Sequence, residues 1–129
     1  MIKEYDIILR EKRYCFAEFK KQGEMIVKFQ KRNVTFEPGC RNNWHIHHAT
    51  KGGGQLLICT AGEGWYQEEG KAAVSLTAGT VITIPAEVKH WHGAKKDSWF
   101  SHIAVEVPGE NTSNEWCEAV DDEAYSKLK

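Results

Sequence analysis

An all-β fold closed as a barrel is what this sequence predicts, and three observations carry the prediction. From Glu24 to Glu106 the chain is written in short runs rich in Val, Ile, Phe and Thr. Gly, Pro or Asn punctuates those runs at intervals of about ten residues, the rhythm of strands joined by turns. Two H-x-H pairs, His45-Ile46-His47 and His90-Trp91-His92, lie inside such runs. Successive strand side chains alternate, so each pair turns both of its imidazoles to one face.

The elements follow in order. Met25 to Phe29 and Asn33 to Phe36 precede the Pro38-Gly39 turn, and Trp44 to His47 carries the first histidine pair. Gln55 to Thr60 follows a triple glycine; Gly64 to Gln67 runs into the hairpin turn Glu68-Glu69-Gly70-Lys71. Ala73 to Leu76 ends at Thr77-Ala78-Gly79, Val81 to Ile84 stops at Pro85, His90 to Gly93 carries the second pair, and Phe100 to Val107 completes the set. Asn111 to Asn114 reads as a polar connector. Helical pattern is expected only at the end, where Asp121-Asp122-Glu123 forms an acidic first turn ahead of Ala124, Tyr125 and Leu128. One domain, residues 1–129, is expected, with a barrel core at about 24–107 and a helical tail at about 113–129.

Composition narrows the partners. A chain of 129 residues can bury a core without staples, so a bound metal would be functional rather than structural. Seventeen Lys+Arg against 18 Asp+Glu leave a net charge of -1, with the basic residues dispersed, which offers no footprint for nucleic acid. The apolar run Ile7-Ile8-Leu9 is interrupted at once by charges and reads neither as a signal peptide nor as a membrane span, so a cytoplasmic location is expected. Cys15, Cys40, Cys59 and Cys117 form no CxxC and are expected as reduced packing thiols.

The histidine pairs and Gln55 supply nitrogen and oxygen donors without thiolate, a set that suits Mn, Fe, Ni, Co or Zn. Neutral imidazole and amide donors leave the charge of a divalent ion uncompensated, so such a site should attract anions and act as a strong Lewis acid.

The segment Gly39-x5-His45-x-His47-x7-Gln55-x6-Gly62 resembles the first motif of the cupin superfamily, and Gly79-x5-Pro85-x-Glu87-x2-His90 resembles the second, with sixteen residues between Gly62 and Gly79. The resemblance covers about two thirds of the chain and implies a double-stranded β-helix, the jelly-roll barrel, with a metal held inside. Three features depart from the usual pattern: Gln55 replaces a glutamate ligand, the loop after His47 is longer, and Ala94 stands where Asn is common. Thr35-Phe36-Glu37-Pro38-Gly39 and His90-Trp91-His92-Gly93-Ala94 are similar to the manganese-binding subgroup that includes bacterial hydroxynitrile lyases and cupins associated with carboxymuconolactone decarboxylases.

That resemblance implies His45, His47, Gln55 and His90 as metal ligands and His92 as a pocket residue beside them. Two residues past His90 on a strand, His92 faces the interior and is expected as a catalytic proton-transfer group, the alternative being that it only orients a ligand through a backbone carbonyl. Parity on the last strand groups His102 with Phe100, Ala104 and Glu106. Either that face lines the cavity or Ile103 and Val105 face a core and His102 is solvated, and the resemblance, which places a histidine here, makes it the expected second catalytic histidine. Val34, Trp91, Ala104 and Glu106 are the expected substrate pocket. Arg32 either shares that cavity with Glu106 or lies on the surface, and Gly52-Gly53-Gly54 is either a gate over the metal or loop slack.

The expected function is a metal-dependent lyase acting on a small oxygen-bearing substrate, with one divalent ion per subunit, manganese first. An iron-dependent dioxygenase and a non-catalytic small-molecule binding barrel are the alternatives. The expected partners are a small-molecule substrate and a second copy of the chain, with neither nucleic acid nor membrane. A homodimer or higher homo-oligomer is implied by the resemblance and by the alternating apolar segment Tyr14 to Lys20, read as a strand pairing with a neighbour.

Overall fold

A computed structural model describes Asp6–Leu9 and residues 30–129. The expected strand Met25 to Phe29 and the intersubunit segment Tyr14 to Lys20 lie outside the described residues. The strands are β1 (Asp6–Leu9), β2 (Gln30–Phe36), β3 (His45–His48), β4 (Lys51–Gly52), β5 (Gln55–Glu68), β6 (Val74–Thr77), β7 (Val81–Ile84), β8 (His90–Ala94), β9 (Phe100–Glu106), β10 (Gly109–Glu110) and β11 (Ser113–Trp116), followed by helix α1 (Asp122–Ser126). The expected all-β class with a short C-terminal helix is what forms. Among the described residues no helix is long and apolar enough to cross a membrane.

Nine strands form one curled sheet along the path β1-β2-β9-β5-β8-β3-β11, with β6 and β7 also paired to β5. The curl is set in β5, where the sequence suggested two strands. Its first half pairs with β9 and β7, its second half with β8 and β6, and the register shifts between Cys59 and Ala61. A bulge bends a strand and lets it change partners without ending. Gly62 makes the bend possible: its φ is +69°, and a Cβ there would lie 1.7 Å from the Trp99 carbonyl oxygen.

Strand alternation sorts the side chains into two cores. Inside the barrel Val34, Phe36, Leu57, Cys59, Ile84 and Phe100 pack together. On the outer face Trp65, Trp91 and Val120 are buried, with Trp44, Tyr125 and Leu128 packed against them. The C-terminal turn is held there by its cap, Ala124 N donating to Asp121 Oδ1 at 2.8 Å, and by Tyr125, whose hydroxyl donates to Ala94 O at 2.7 Å. Arg41 pairs with Asp122 and lies 4.1 Å over the Tyr125 ring. Cys40, Cys59 and Cys117 are free thiols, the first two buried, as their packing role requires.

Two segments differ from the expectation. Ser113 to Trp116, placed within a connector and a helical tail, is an edge strand antiparallel to β3. All four of its residues are exposed, so it carries no apolar alternation to read, and its pairing with β3 is what makes it a strand. The triple-glycine loop is likewise tied down: β4 pairs with β10, and Gly53 N donates to Pro108 O at 3.0 Å. Its glycines answer close backbone approach, since a Cβ on Gly54 would meet Ile84 O at 2.2 Å.

Candidate metal centre

His45 and His47 share the inner face of β3, and the register sets His45 directly opposite His90 on β8. The His45 and His90 rings are 4.2 Å apart between centroids, and His47 and His90 are 5.4 Å apart. One ligand atom from each of the three lies within 4.8 Å of the others, and all three side chains are buried.

The ring orientations have local causes. His45 Nδ1 donates to Asn43 O at 2.8 Å and His90 Nδ1 donates to Val88 O at 2.8 Å, each a carbonyl two residues back along the chain. His47 Nδ1 donates to Asn114 Oδ1 on β11, also at 2.8 Å. With Nδ1 protonated, the lone pair sits on Nε2. Nε2 of His47, Nε2 of His90 and Oε1 of Gln55 are buried without a hydrogen-bond partner among the described residues. Buried acceptors left unmet are destabilising, and a divalent cation held by the three histidines would satisfy the two imidazole nitrogens together. The donor set therefore fits a metal ion.

Electrostatics keep His45 and His90 neutral. Burial, with His90 alongside, holds His45 well below the usual histidine pKa, and burial brings His90 down to about 4. Gln55 is oriented by Glu106, its Nε2 donating to Glu106 Oε1 at 3.0 Å while Glu106 Oε2 lies 3.3 Å from His47 Nδ1. Burial works to raise the Glu106 pKa, but His47, Gln55 and Arg32 outweigh it and leave the group below its ordinary value. Arg32 is thus near enough to Glu106 to act on it, and its Nε and Nη2 atoms are shielded from solvent. That favours the cavity placement over the surface one.

His92 and His102 stand together beside the triad. His92 lies 5.5 Å from His45 and 4.8 Å from His102 between ring centroids, and Phe36 packs edge-on against it at 5.9 Å. Burial first, then the neighbouring histidines, depresses His92; burial takes His102 to about 4. Val34 pairs with His102 across β2 and β9, and Ala104 is buried on the same face.

Trp91 is the exception among the expected pocket residues. Lying between His90 and His92 on a regular strand, it points the opposite way. Its fully buried ring packs with Trp65 and Val120 outside the barrel, and Nε1 donates to Gln67 Oε1 at 2.8 Å.

Two residues that sequence reasoning missed complete the site. Asn114 orients His47, and Asn42 contacts His92 through both ends of its amide. Neither belongs to a spaced motif; the one available signal was the position of Asn42 just ahead of the H-x-H segment. A cleft of about 700 Å³ opens beside His47, Glu106 and Asn114, bounded by Lys51, Gly52 and Pro108 of the β4–β10 ribbon and its approach.

Residues 32–105 match the Cupin domain family. The chain is 41% identical over 95 residues to the (R)-mandelonitrile lyase of Granulicella tundricola, covering 74% of this chain and 70% of that protein. A cupin-like protein from Thermotoga maritima superposes with a TM-score of 0.69 at 41% identity, over 79% of this chain and 74% of that one. The DMSP lyase DddQ from Ruegeria pomeroyi shares the fold at 17% identity and a TM-score of 0.59, over 73% of this chain and 45% of the other. With the histidine triad inside its barrel and a family match spanning more than half its length, this chain belongs to the cupin family.

Proposed function

We propose that this cupin is a metal-dependent lyase that cleaves a cyanohydrin or a related small molecule with a hydroxyl beside the scissile carbon–carbon bond. The observation that carries the reading is the adjacency of unmet acceptors on His47, His90 and Gln55 to a second pair of buried, neutral histidines, His92 and His102. The similarity to a protein named (R)-mandelonitrile lyase supports the substrate class.

His45, His47, Gln55 and His90 would hold one divalent ion, manganese first, which when bound supplies Lewis acidity toward a substrate oxygen. The remaining chemistry belongs to the chain. His92 accepts the hydroxyl proton at Nε2, the substrate hydroxyl displacing Asn42 Nδ2, which lies 3.1 Å from that nitrogen. As that O–H bond breaks, the oxygen lone pair forms the carbonyl and the carbon–carbon electron pair leaves with cyanide. The proton on His92 then passes to cyanide, giving hydrogen cyanide and an aldehyde, with His92 neutral again. His102, 4.8 Å away between ring centroids, offers a second buried imidazole to the substrate beside His92. Val34 and Ala104 form the apolar wall of the pocket; Glu106 and Arg32 make its other end charged, which favours a substrate with a further polar group. The active unit in this reading is a cytoplasmic homo-oligomer.

The test is to load the protein with Mn²⁺, add (R)-mandelonitrile and follow benzaldehyde by absorbance and cyanide by electrode. Release by the loaded protein, and its loss in His92→Ala with metal still bound, is the expected result. Dioxygen uptake with Fe²⁺ and no cyanide release would instead make this a dioxygenase. Ligand binding without either reaction would make it a binding barrel.

A further inference from the structure

The metal site lacks the carboxylate that Gln55 replaces, yet a carboxylate stands one hydrogen bond behind it. We propose that Glu106 is a positioning residue that takes over the missing glutamate's charge and fixes the orientation of the Gln55 amide. The proposal rests on His45, His47, Gln55 and His90 being the ligands.

Three observations support it. In the β5–β9 pairing Gln55 and Glu106 are register partners, so their side chains rise together from the same face. Gln55 Nε2 donates to Glu106 Oε1 at 3.0 Å, and a carboxylate can only accept there, so the amide is compelled to turn Oε1 away from Glu106. That Oε1 is buried and unmet among the described residues, as are Nε2 of His47 and of His90. The other carboxylate oxygen lies 3.3 Å from His47 Nδ1, on the far side of that ring from its free Nε2. One group thus orients or polarises two of the four donors.

The consequence differs from that of a directly bound glutamate. The ion would meet only neutral atoms while one negative charge lies a bond farther out. Attraction for the cation is kept, and the Lewis acidity lost by direct anionic ligation is spared.

Metal affinity and thermal stability of four variants test this, with Mn²⁺ titrated against a fluorescent chelator and melting measured without metal. Glu106→Gln keeps the shape but removes the charge and lets either amide flip, so affinity should fall ~10- to 100-fold. Gln55→Glu alone sets two carboxylates side by side: the metal-free protein should melt lower and bind Mn²⁺ more tightly than wild type. The exchange Gln55→Glu with Glu106→Gln restores one charge and one amide across the same hydrogen bond and should recover affinity to within a few-fold. His90→Ala is the control for the ligand set and should lose stoichiometric metal.

Glu106→Gln binding Mn²⁺ as tightly as wild type would overturn the role of Glu106 while leaving the ligand assignment standing. So would an exchange variant no better than Glu106→Gln despite an unchanged melting temperature. Full metal occupancy in His90→Ala, or none in wild type, would overturn the ligand assignment and this inference with it.

Discussion

Asn42 grips His92 at both ends: its Oδ1 accepts from the His92 backbone N–H at 2.9 Å, while its Nδ2 lies 3.1 Å from the ring's Nε2. The Asn42 backbone N–H also donates to His92 O at 3.1 Å. An amide nitrogen can only donate, and Nδ2 also lies 3.4 Å from Nδ1, so the shorter contact favours the tautomer in which Nε2 carries the lone pair.

Asn42→Ala should therefore lower kcat by about ten- to a hundred-fold with little change in bound metal, because His92 loses the partner that sets its proton-accepting atom. Steady-state cyanide release together with metal analysis checks this. Unchanged kcat would remove Asn42 from the reaction.

The placement of Trp91 outside the barrel leads to a second expectation. Trp91→Leu should destabilise the fold by on the order of 3 kcal/mol, since it empties a fully buried site between Trp65 and Val120. KM for a cyanohydrin should stay near wild type. Urea unfolding and steady-state kinetics read the two effects separately, and a KM change without loss of stability would return Trp91 to the pocket.

Acid should unfold this protein through its buried histidines. His102 titrates near 6.5 when unfolded and at about 4 when folded, burial being the cause. Between those values the unfolded chain binds more protons, so stability rises with pH across the window. The contribution is fully present above about pH 6.5 and is lost as pH falls through about 4. His102 alone accounts for on the order of 3 kcal/mol. His102→Leu should therefore show a shallower fall in unfolding free energy between about pH 6.5 and 4 than wild type; identical slopes would contradict it.

Pinning of the glycine loop predicts slow motion where slack would give fast. The Gly53 amide, donating to Pro108 O at 3.0 Å, should exchange slowly even in the ligand-free protein. Gly54→Ala should cost at least about 1–3 kcal/mol, because its φ of +93° and the 2.2 Å approach to Ile84 O both reject a side chain. Fast exchange at Gly53 that slows on ligand binding would establish a gate instead.

Much of this was legible in the chain itself because it is local. Strand alternation needs only neighbouring residues, and it placed His45 with His47, His90 with His92, and His102 with Ala104 and Glu106 on common faces. Pro38-Gly39, Glu69-Gly70 and Pro85 marked where strands stop, and the cupin motifs marked the candidate ligands. The same rule applied to Trp91 would have turned it outward between two inward histidines.

Barrel closure decided the rest, because which distant strands lie side by side is a property of the closed sheet. Glu106 is 51 residues from Gln55 and Asn114 is 67 from His47, yet cross-strand register sets each within hydrogen-bond distance of its partner. No periodicity within either segment encodes such a pairing. Likewise the exposed β11 and the continuous, bulged β5 exist because a neighbouring strand offers backbone donors and acceptors, and that offer becomes visible only once the sheet has curled.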